Sequence, residues 1–284
     1  MTKNIFIGAH VSIAGGAHNA FTRAESVGCT AMQIFTKSSR SWFDKKITEE
    51  EIELFKKAAK KSPVVAVNAH AGYLINIGSS KPDVEKKSVS SLIDEIHRCK
   101  LLGIKYLVIH PGAHLGAGEE QGMEKISKNL DAVLDRCTGD VTILLETMAG
   151  QGTTLGSFEH INKIKELCNN KKNIAVCLDT CHVFAAGHDI STEQGYKKLW
   201  TDFDNIIGLK HLKLIHCNDC STKFNSHHDV HAAIGEGNIP LKIFELLMND
   251  KRLEDIPKIL ETPTDVNMEL YAKEIKLLKA MVNN

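Results

Sequence analysis

No stretch of this chain approaches the roughly 18 consecutive apolar residues that a membrane-spanning helix requires. The opening segment MTKNIFIGAH also lacks the sustained apolar run of a secretory leader. We therefore expect a soluble intracellular protein without a membrane partner, whether cytoplasmic or in another compartment. Charge of one sign is not in excess either: 35 Lys and Arg stand against 35 Asp and Glu, with an isoelectric point near 7.2. Bulk positive potential cannot attract a polyanion here, so a local source such as bound cations would have to do it. The cysteines, at 29, 99, 137, 168, 177, 181, 217 and 220, lack the spacing of a small secreted domain. A reduced interior follows. Cys217 and Cys220 form a C-x-x-C with no second pair nearby, which disfavours a thioredoxin-like or structural zinc role. Of the Gly-rich loops, at 15–16, 112–118, 150–156 and 235–237, none is a Walker A or dinucleotide fingerprint.

What is present is a recurrence. Short apolar runs end on polar residues of one chemical kind: VVAVNAH at His70, YLVIH at His110, VTILLE at Glu146, IAVCLD at Asp179, HLKLIH at His216 and IPKILE at Glu261. Eight candidate strands fall near 4–9, 30–35, 64–70, 105–110, 141–146, 174–179, 211–216 and 256–261, several apolar throughout as buried parallel strands are. Helical patterns fill the intervals. Thr48 and Glu51 form a capping-box signal, Leu92, Ile96 and Cys99 make a stripe closing near Gly103, and Leu270, Leu277, Leu278 and Met281 mark a final helix. The expectation is an α/β fold, a (β/α)8 TIM barrel forming one domain over residues 1–284, with a metal site at the C-terminal ends of its strands. An open doubly wound sheet is the alternative, because strand order is not visible in a sequence.

In a barrel those strand ends form the catalytic rim. His182 in DTCH, and Asp229 and His231 in DVH, extend the set to five imidazoles and four carboxylates. Such ligands suit zinc, with Mn2+ or Fe2+ compatible at some positions. The carboxylates would make a single-metal site negative, whereas three divalent ions would leave it positive and able to attract a phosphodiester. Each of Glu146, Asp179 and Glu261 follows an apolar run, where an uncompensated charge is costly to bury. His10, at the end of the first strand, belongs to the same rim as a ligand, a supporting partner or a phosphate contact. His211 precedes its strand and belongs at the opposite end.

The segments IGAHVSIAGG at 7–16, FTKSSRSW at 35–42, HAGYLINIG at 70–78, VIHPGAHLG at 108–116, LLETMAGQG at 144–152, CLDTCHVFAAGHD at 177–189, HCNDC at 216–220, DVHAAIGEGNI at 229–239 and ILET at 259–262 resemble, in order, those of the endonuclease IV family of apurinic/apyrimidinic endonucleases. The resemblance implies a barrel with three zinc ions. His70, His110 and Glu146 would hold one, Glu146, Asp179, His216 and Glu261 a second, and His182, Asp229 and His231 the third, with Glu146 bridging the first two. It implies double-stranded DNA bearing abasic sites or blocked 3′ ends as the partner, at whatever intracellular place holds that DNA, and action as a monomer. The implied reaction is hydrolysis of the phosphodiester 5′ to an abasic site, leaving 3′-hydroxyl and 5′-deoxyribose-phosphate ends, with removal of 3′-blocking groups as a second activity. Glu261 and Glu146 are the implied catalytic residues, positioning or deprotonating the attacking water. Arg40, Tyr73 and Leu74 would enter the minor groove and the gap left by the extruded nucleotide, and Lys37 would contact phosphate.

Three departures from the family pattern bear on DNA affinity. Serines at 38, 39 and 41 flank Arg40 where glutamine is usual, Val230 stands where arginine is common, and Cys220 replaces a small or hydroxyl residue. A sugar isomerase or epimerase on a related barrel is the competing reading, since Glu146, Asp179, His216 and Glu261 alone would serve it. His70, His110, His182, Asp229 and His231 favour the nuclease by supporting further ions. A catalytically silent damage-binding barrel is a third class, disfavoured by the complete ligand set.

Overall fold

A computed structural model describes residues 5–137, 139 and 141–283. In chain order the elements are β1 (Ile7–His10), α1 (Asn19–Ser26), β2 (Ala31–Phe35), α2 (Glu49–Lys61), β3 (Ala66–His70), α3 (Pro82–Leu102), β4 (Tyr106–Ile109), α4 (Glu119–Arg136), β5 (Thr142–Glu146), α5 (Phe158–Leu167), β6 (Ile174–Asp179), α6 (Thr180–Ala185), α7 (Glu193–Ile206), β7 (Leu212–His216), β8 (Asp219–Cys220), β9 (His231–Ala232), α8 (Leu241–Asn249), β10 (Lys258–Leu260) and α9 (Glu269–Ala280). Eight strands close in the order β1-β10-β7-β6-β5-β4-β3-β2, every pairing parallel. Because β1 pairs with both β2 and β10, the sheet has no edge, and the open-sheet alternative is excluded. β8 and β9 form a separate antiparallel pair. Residue 4, where the first strand was expected to begin, lies outside the described residues.

Local chemistry sets these elements. The Thr48 hydroxyl accepts the Glu51 N–H while the Glu51 carboxylate accepts the Thr48 N–H, so α2 starts on the expected capping box. α3 stops at Gly103, whose φ of 74° places it in the left-handed region that a helix terminus favours for glycine. Pro240 caps α8 from outside its first turn.

Strand alternation then divides the barrel. Ile143 and Leu145 of β5 pack with the helices, whereas Leu144 joins Ala31, Val108, Ala175, Cys177, Leu214 and Ile259 in a small inner core. One step further along each inward row, toward the strand C-terminus, stand Gln33, His110, Glu146, Asp179, His216 and Glu261. Period-two alternation thus turns a plug of apolar side chains into a polar rim within a single strand step. Gly8 has the complementary role on the inward side of β1: a Cβ there would lie 1.6 Å from the Ala31 carbonyl oxygen, so only glycine permits this closure. Among the described residues, no helix is long and apolar enough to cross a membrane.

Candidate metal centre

β3, β5, β6 and β7 deliver His70, Glu146, Asp179 and His216 on their last residues; His110 and Glu261 follow β4 and β10 by one residue. Strand pairing fixes the heights, with Asp179 opposite His216 and His216 opposite Ile259. His70 Nε2 and His110 Nε2 lie 3.1 and 3.3 Å from Glu146 Oε2, while His216 Nδ1 lies 2.9 Å from Glu146 Oε1 and 3.1 Å from Glu261 Oε2. A few ångströms away, His182 Nε2 and His231 Nε2 lie 3.0 and 3.2 Å from the two oxygens of Asp229, and His231 Nε2 lies 3.5 Å from Asp179 Oδ2. Three groups therefore form, His70/His110/Glu146, Glu146/Asp179/His216/Glu261 and His182/Asp229/His231, each with ligand atoms within 4.8 Å of one another. Glu146 belongs to two of them through different oxygens.

The imidazoles are presented as ligands. His70 Nδ1 bonds the Ala71 carbonyl at 2.7 Å, His182 Nδ1 the Thr147 carbonyl at 2.7 Å and His231 Nδ1 the Glu261 carbonyl at 3.1 Å. Each bond puts the proton on Nδ1 and leaves the Nε2 lone pair facing the carboxylates. His216 is held the other way round, its Nε2 on Gln33 Oε1 at 2.9 Å and its Nδ1 toward the site. His182 Nε2 and His231 Nε2 are buried without a hydrogen-bond partner among the described residues, although carboxylate oxygens stand at contact distance. Buried nitrogens that face oxygens yet make no hydrogen bond fit cation ligation, and the mixed N/O donor set suits a divalent ion such as zinc, manganese or iron.

Electrostatics agree. Burial would raise the Glu146 carboxyl, but His216 and His110 outweigh it and hold it well below the ordinary carboxylate range. Glu261 is likewise held down, against its burial, by His216 and by the hydrogen bond from His10, and Asp229, against its burial, by His182 and His231. All three stay ionised, as cation ligands must.

Several supporting residues were not legible in the sequence. Gln33 Nε2 donates to Glu261 Oε1 at 2.6 Å while its other end holds His216. Asn218 Nδ2 donates to Asp179 Oδ2 at 2.7 Å, and its Oδ1 accepts the Glu261 N–H at 2.7 Å. Asp219 accepts the N–H groups of Cys220, Gly235, Gly237 and Ile239, which fixes the loop after β9. Parity could have found Gln33, a polar residue on the inward row of AMQIF. Asn218 lies beyond its strand, where no period applies. His10 supports the centre, with Nδ1 3.0 Å from Glu261 Oε1 and 3.0 Å from Gln33 Nε2.

The outer residues divide. Tyr73 is 62% exposed at the mouth, its ring edge-on to Phe35 and 6.2 Å from the His110 ring, with Leu74 39% exposed beside it. Arg40 is exposed on the neighbouring loop, and the Tyr73 N–H bonds the Ser39 carbonyl at 3.1 Å, so the two loops are joined. Lys37 is not part of this surface, which corrects the expected phosphate contact. Its ammonium is enclosed, donating to the Trp42 carbonyl at 2.8 Å, Ser91 Oγ at 2.9 Å and Asp94 at 3.2 Å, with buried Glu95 3.7 Å away. Glu95 in turn accepts the Gly72 N–H at 3.2 Å and bonds Thr36. Lys37 therefore braces the loops that carry Arg40 and Tyr73 from beneath.

A closed barrel with polar groups clustered on its C-terminal rim defines a class, and residues 21–281 match the family model described as a xylose isomerase-like TIM barrel. Within that class the chain is 41% identical to a probable endonuclease 4 of Chloroflexus aurantiacus, over 97% of both chains, and 43% identical to one of Geotalea daltonii, over 98% of both. It superposes on the crystal structure of endonuclease IV from Thermus thermophilus with a TM-score of 0.84 at 32% identity, covering 97% of this chain and 98% of that one. The chain belongs to the endonuclease IV family of nucleases. A D-tagatose 3-epimerase-like protein aligns with a TM-score of 0.70 at 20% identity, a likeness of fold alone.

Proposed function

We propose that this protein is a zinc-dependent endonuclease of base excision repair, one barrel domain that hydrolyses the phosphodiester 5′ to an abasic site in double-stranded DNA and also removes 3′-blocking groups. The observation that carries this reading is the presence of three ligand groups on one rim, two of them sharing Glu146. A sugar isomerase needs the Glu146/Asp179/His216/Glu261 group alone; the two further histidine-rich groups suit the several charges of a phosphodiester and its leaving oxygen.

His70, His110 and Glu146 would hold one zinc, Glu146, Asp179, His216 and Glu261 a second, and His182, Asp229 and His231 a third. Bound there, zinc supplies Lewis acidity to the phosphoryl oxygens and acidifies water. The protein's part is positioning. Glu261 Oε1 is engaged by His10 and Gln33, so its Oε2, 3.1 Å from His216 Nδ1, is the oxygen turned toward the ligand groups, where with Glu146 it would position the attacking water. Held well below the usual carboxylate range, Glu261 remains an acceptor throughout and orients a water proton better than it retains one. Tyr73 and Leu74 would fill the gap left when an abasic nucleotide turns out, an extrusion cheaper by a few kcal/mol because no base must be unstacked. Arg40 would contact the minor groove. The 62% exposure of Tyr73 directly over the ligand groups supports this arrangement.

End-labelled duplexes, with and without one tetrahydrofuran abasic analogue, test the reading. Cleavage confined to the 5′ side of the lesion, lost on zinc stripping and in Glu261→Gln, is the expected result. Equal cutting of intact duplex, or none by fully metallated protein, would overturn it.

A further inference from the structure

A helix that packs on a barrel ordinarily turns an apolar stripe inward. On α3 that face carries Leu92, Ile96 and Cys99, and beside them a second buried row that is polar: Ser88, Ser91, Glu95 and Arg98, spaced by three and four residues. Each member of the polar row bonds one of the two loops at the mouth. Ser88 Oγ accepts the Asn76 N–H at 2.9 Å and Glu95 Oε1 the Gly72 N–H at 3.2 Å, both in the loop that carries Tyr73 and Leu74. Ser91 Oγ donates to the Trp42 carbonyl at 2.8 Å and Arg98 to the Asp44 carbonyl at 3.2 Å, both in the loop that carries Arg40.

Glu95 reaches both loops. Its Oε2 accepts the Thr36 hydroxyl at the root of the Arg40 loop while its Oε1 holds Gly72, the residue before Tyr73. At their tips the loops meet again, where the Tyr73 N–H bonds the Ser39 carbonyl at 3.1 Å, and a Cβ on Gly72 would lie 3.2 Å from that same oxygen. One tie at the tip leaves a hinge between two loops; a second tie at the base removes it. Glu95 is 1% exposed, and a buried carboxylate is costly unless donors surround it. Here an N–H, a hydroxyl and the Lys37 ammonium 3.7 Å away offset that cost. An apolar side chain would fill the same space, but it could not fix two chain segments through two oxygens.

We propose that Glu95 is a positioning residue for lesion recognition: it fixes Tyr73 relative to Arg40, so that the wedge and the minor-groove contact engage one duplex together. It touches neither DNA nor a metal-ligand side chain and acts through the loops. Without it the base of the frame opens, and each binding event must order the loops that the parent protein holds ready. The inference rests on the DNA-contact role given to Tyr73 and Arg40 under the proposed function.

Steady-state cleavage of a duplex with one tetrahydrofuran abasic analogue by zinc-loaded, full-length protein compares the parent with Glu95→Ala, Glu95→Gln, Tyr73→Ala and the Glu95→Ala/Tyr73→Ala double variant. Zinc content and thermal unfolding are measured for each. Glu95→Ala should raise KM about 10- to 100-fold, with kcat and zinc content near the parental values. Glu95→Gln keeps an acceptor for the Gly72 N–H and should recover most of that loss. In the double variant the rise in KM should fall well short of the product of the two single effects, because Glu95 acts through Tyr73. Single effects that multiply, an unchanged KM in Glu95→Ala, a loss confined to kcat or to zinc content, or a Glu95→Gln protein no better than Glu95→Ala each overturns the positioning role and leaves the proposed function standing. A parental KM in Tyr73→Ala overturns the wedge assignment and this proposal with it. Should Glu95→Ala fail to fold, Thr36→Val, which removes the hydroxyl alone, takes its place in the cycle and is judged by the same outcomes.

Discussion

Asn218→Ala probes the centre without touching a ligand. The side chain is fully buried and ties the ends of β6 and β10 together, donating to Asp179 Oδ2 at 2.7 Å and accepting the Glu261 N–H at 2.7 Å. A hydrogen bond to a charged group contributes about 1.5–3 kcal/mol, and a buried N–H left unsatisfied costs about 1–3 kcal/mol. Truncation should therefore destabilise the metal-free protein by about 3–5 kcal/mol, less if water enters the vacated space. Asp179 and Glu261 share one ligand group, so losing their common brace should also weaken zinc binding about 10- to 100-fold. Urea unfolding of chelated protein reads the first effect, and competition against a chromophoric zinc chelator reads the second. Asn218→Asp supplies the contrast. It keeps an acceptor for the Glu261 N–H but sets a carboxylate oxygen against Asp179, so the metal-free protein should lose more stability at neutral pH than at acid pH. An Asn218→Ala protein that is destabilised yet binds zinc as tightly as the parent would refute the reasoning, because Asn218 would then brace the fold without orienting the ligands.

Two further expectations separate packing from binding. Lys37→Met strands buried Glu95 without its cation, a loss of up to about 3–5 kcal/mol in thermal or urea unfolding, but should leave the salt dependence of abasic-DNA binding unchanged; Arg40→Ala should lower that log–log slope by about 1 with little effect on stability. The Lys165 amine is brought down to about 8, by burial and then by Lys210. Between pH about 8 and the ordinary lysine value near 10.4 the unfolded chain binds the extra proton, so this group makes stability rise with pH, by up to about 1.4 kcal/mol per pH unit. Lys165→Met should remove that rise and be the more stable protein at neutral pH, read from unfolding curves of both proteins across the window.

The barrel and its rim were legible for one reason: side-chain alternation and apolar run length are local, and each run announced its polar terminus. His70, Glu146, Asp179 and His216 end their strands as expected, and His110 and Glu261 follow theirs by a single residue. Lys37 misled because a lysine beside an exposed arginine reads as another surface cation. Its enclosure depends on Ser91 and Asp94, over fifty residues away on α3.

The sequence by itself determined the strand–helix rhythm, the inward row on each strand and the chemical type of the residue at its end, because these follow from period-two geometry and the cost of burying charge. Only the closed sheet decided which termini meet. Parallel registry sets Asp179 beside His216 and lets one Glu146 carboxylate face two groups at once. It also brings Gln33 and Asn218 against the centre, since contacts between residues tens to hundreds apart exist only once the barrel has closed.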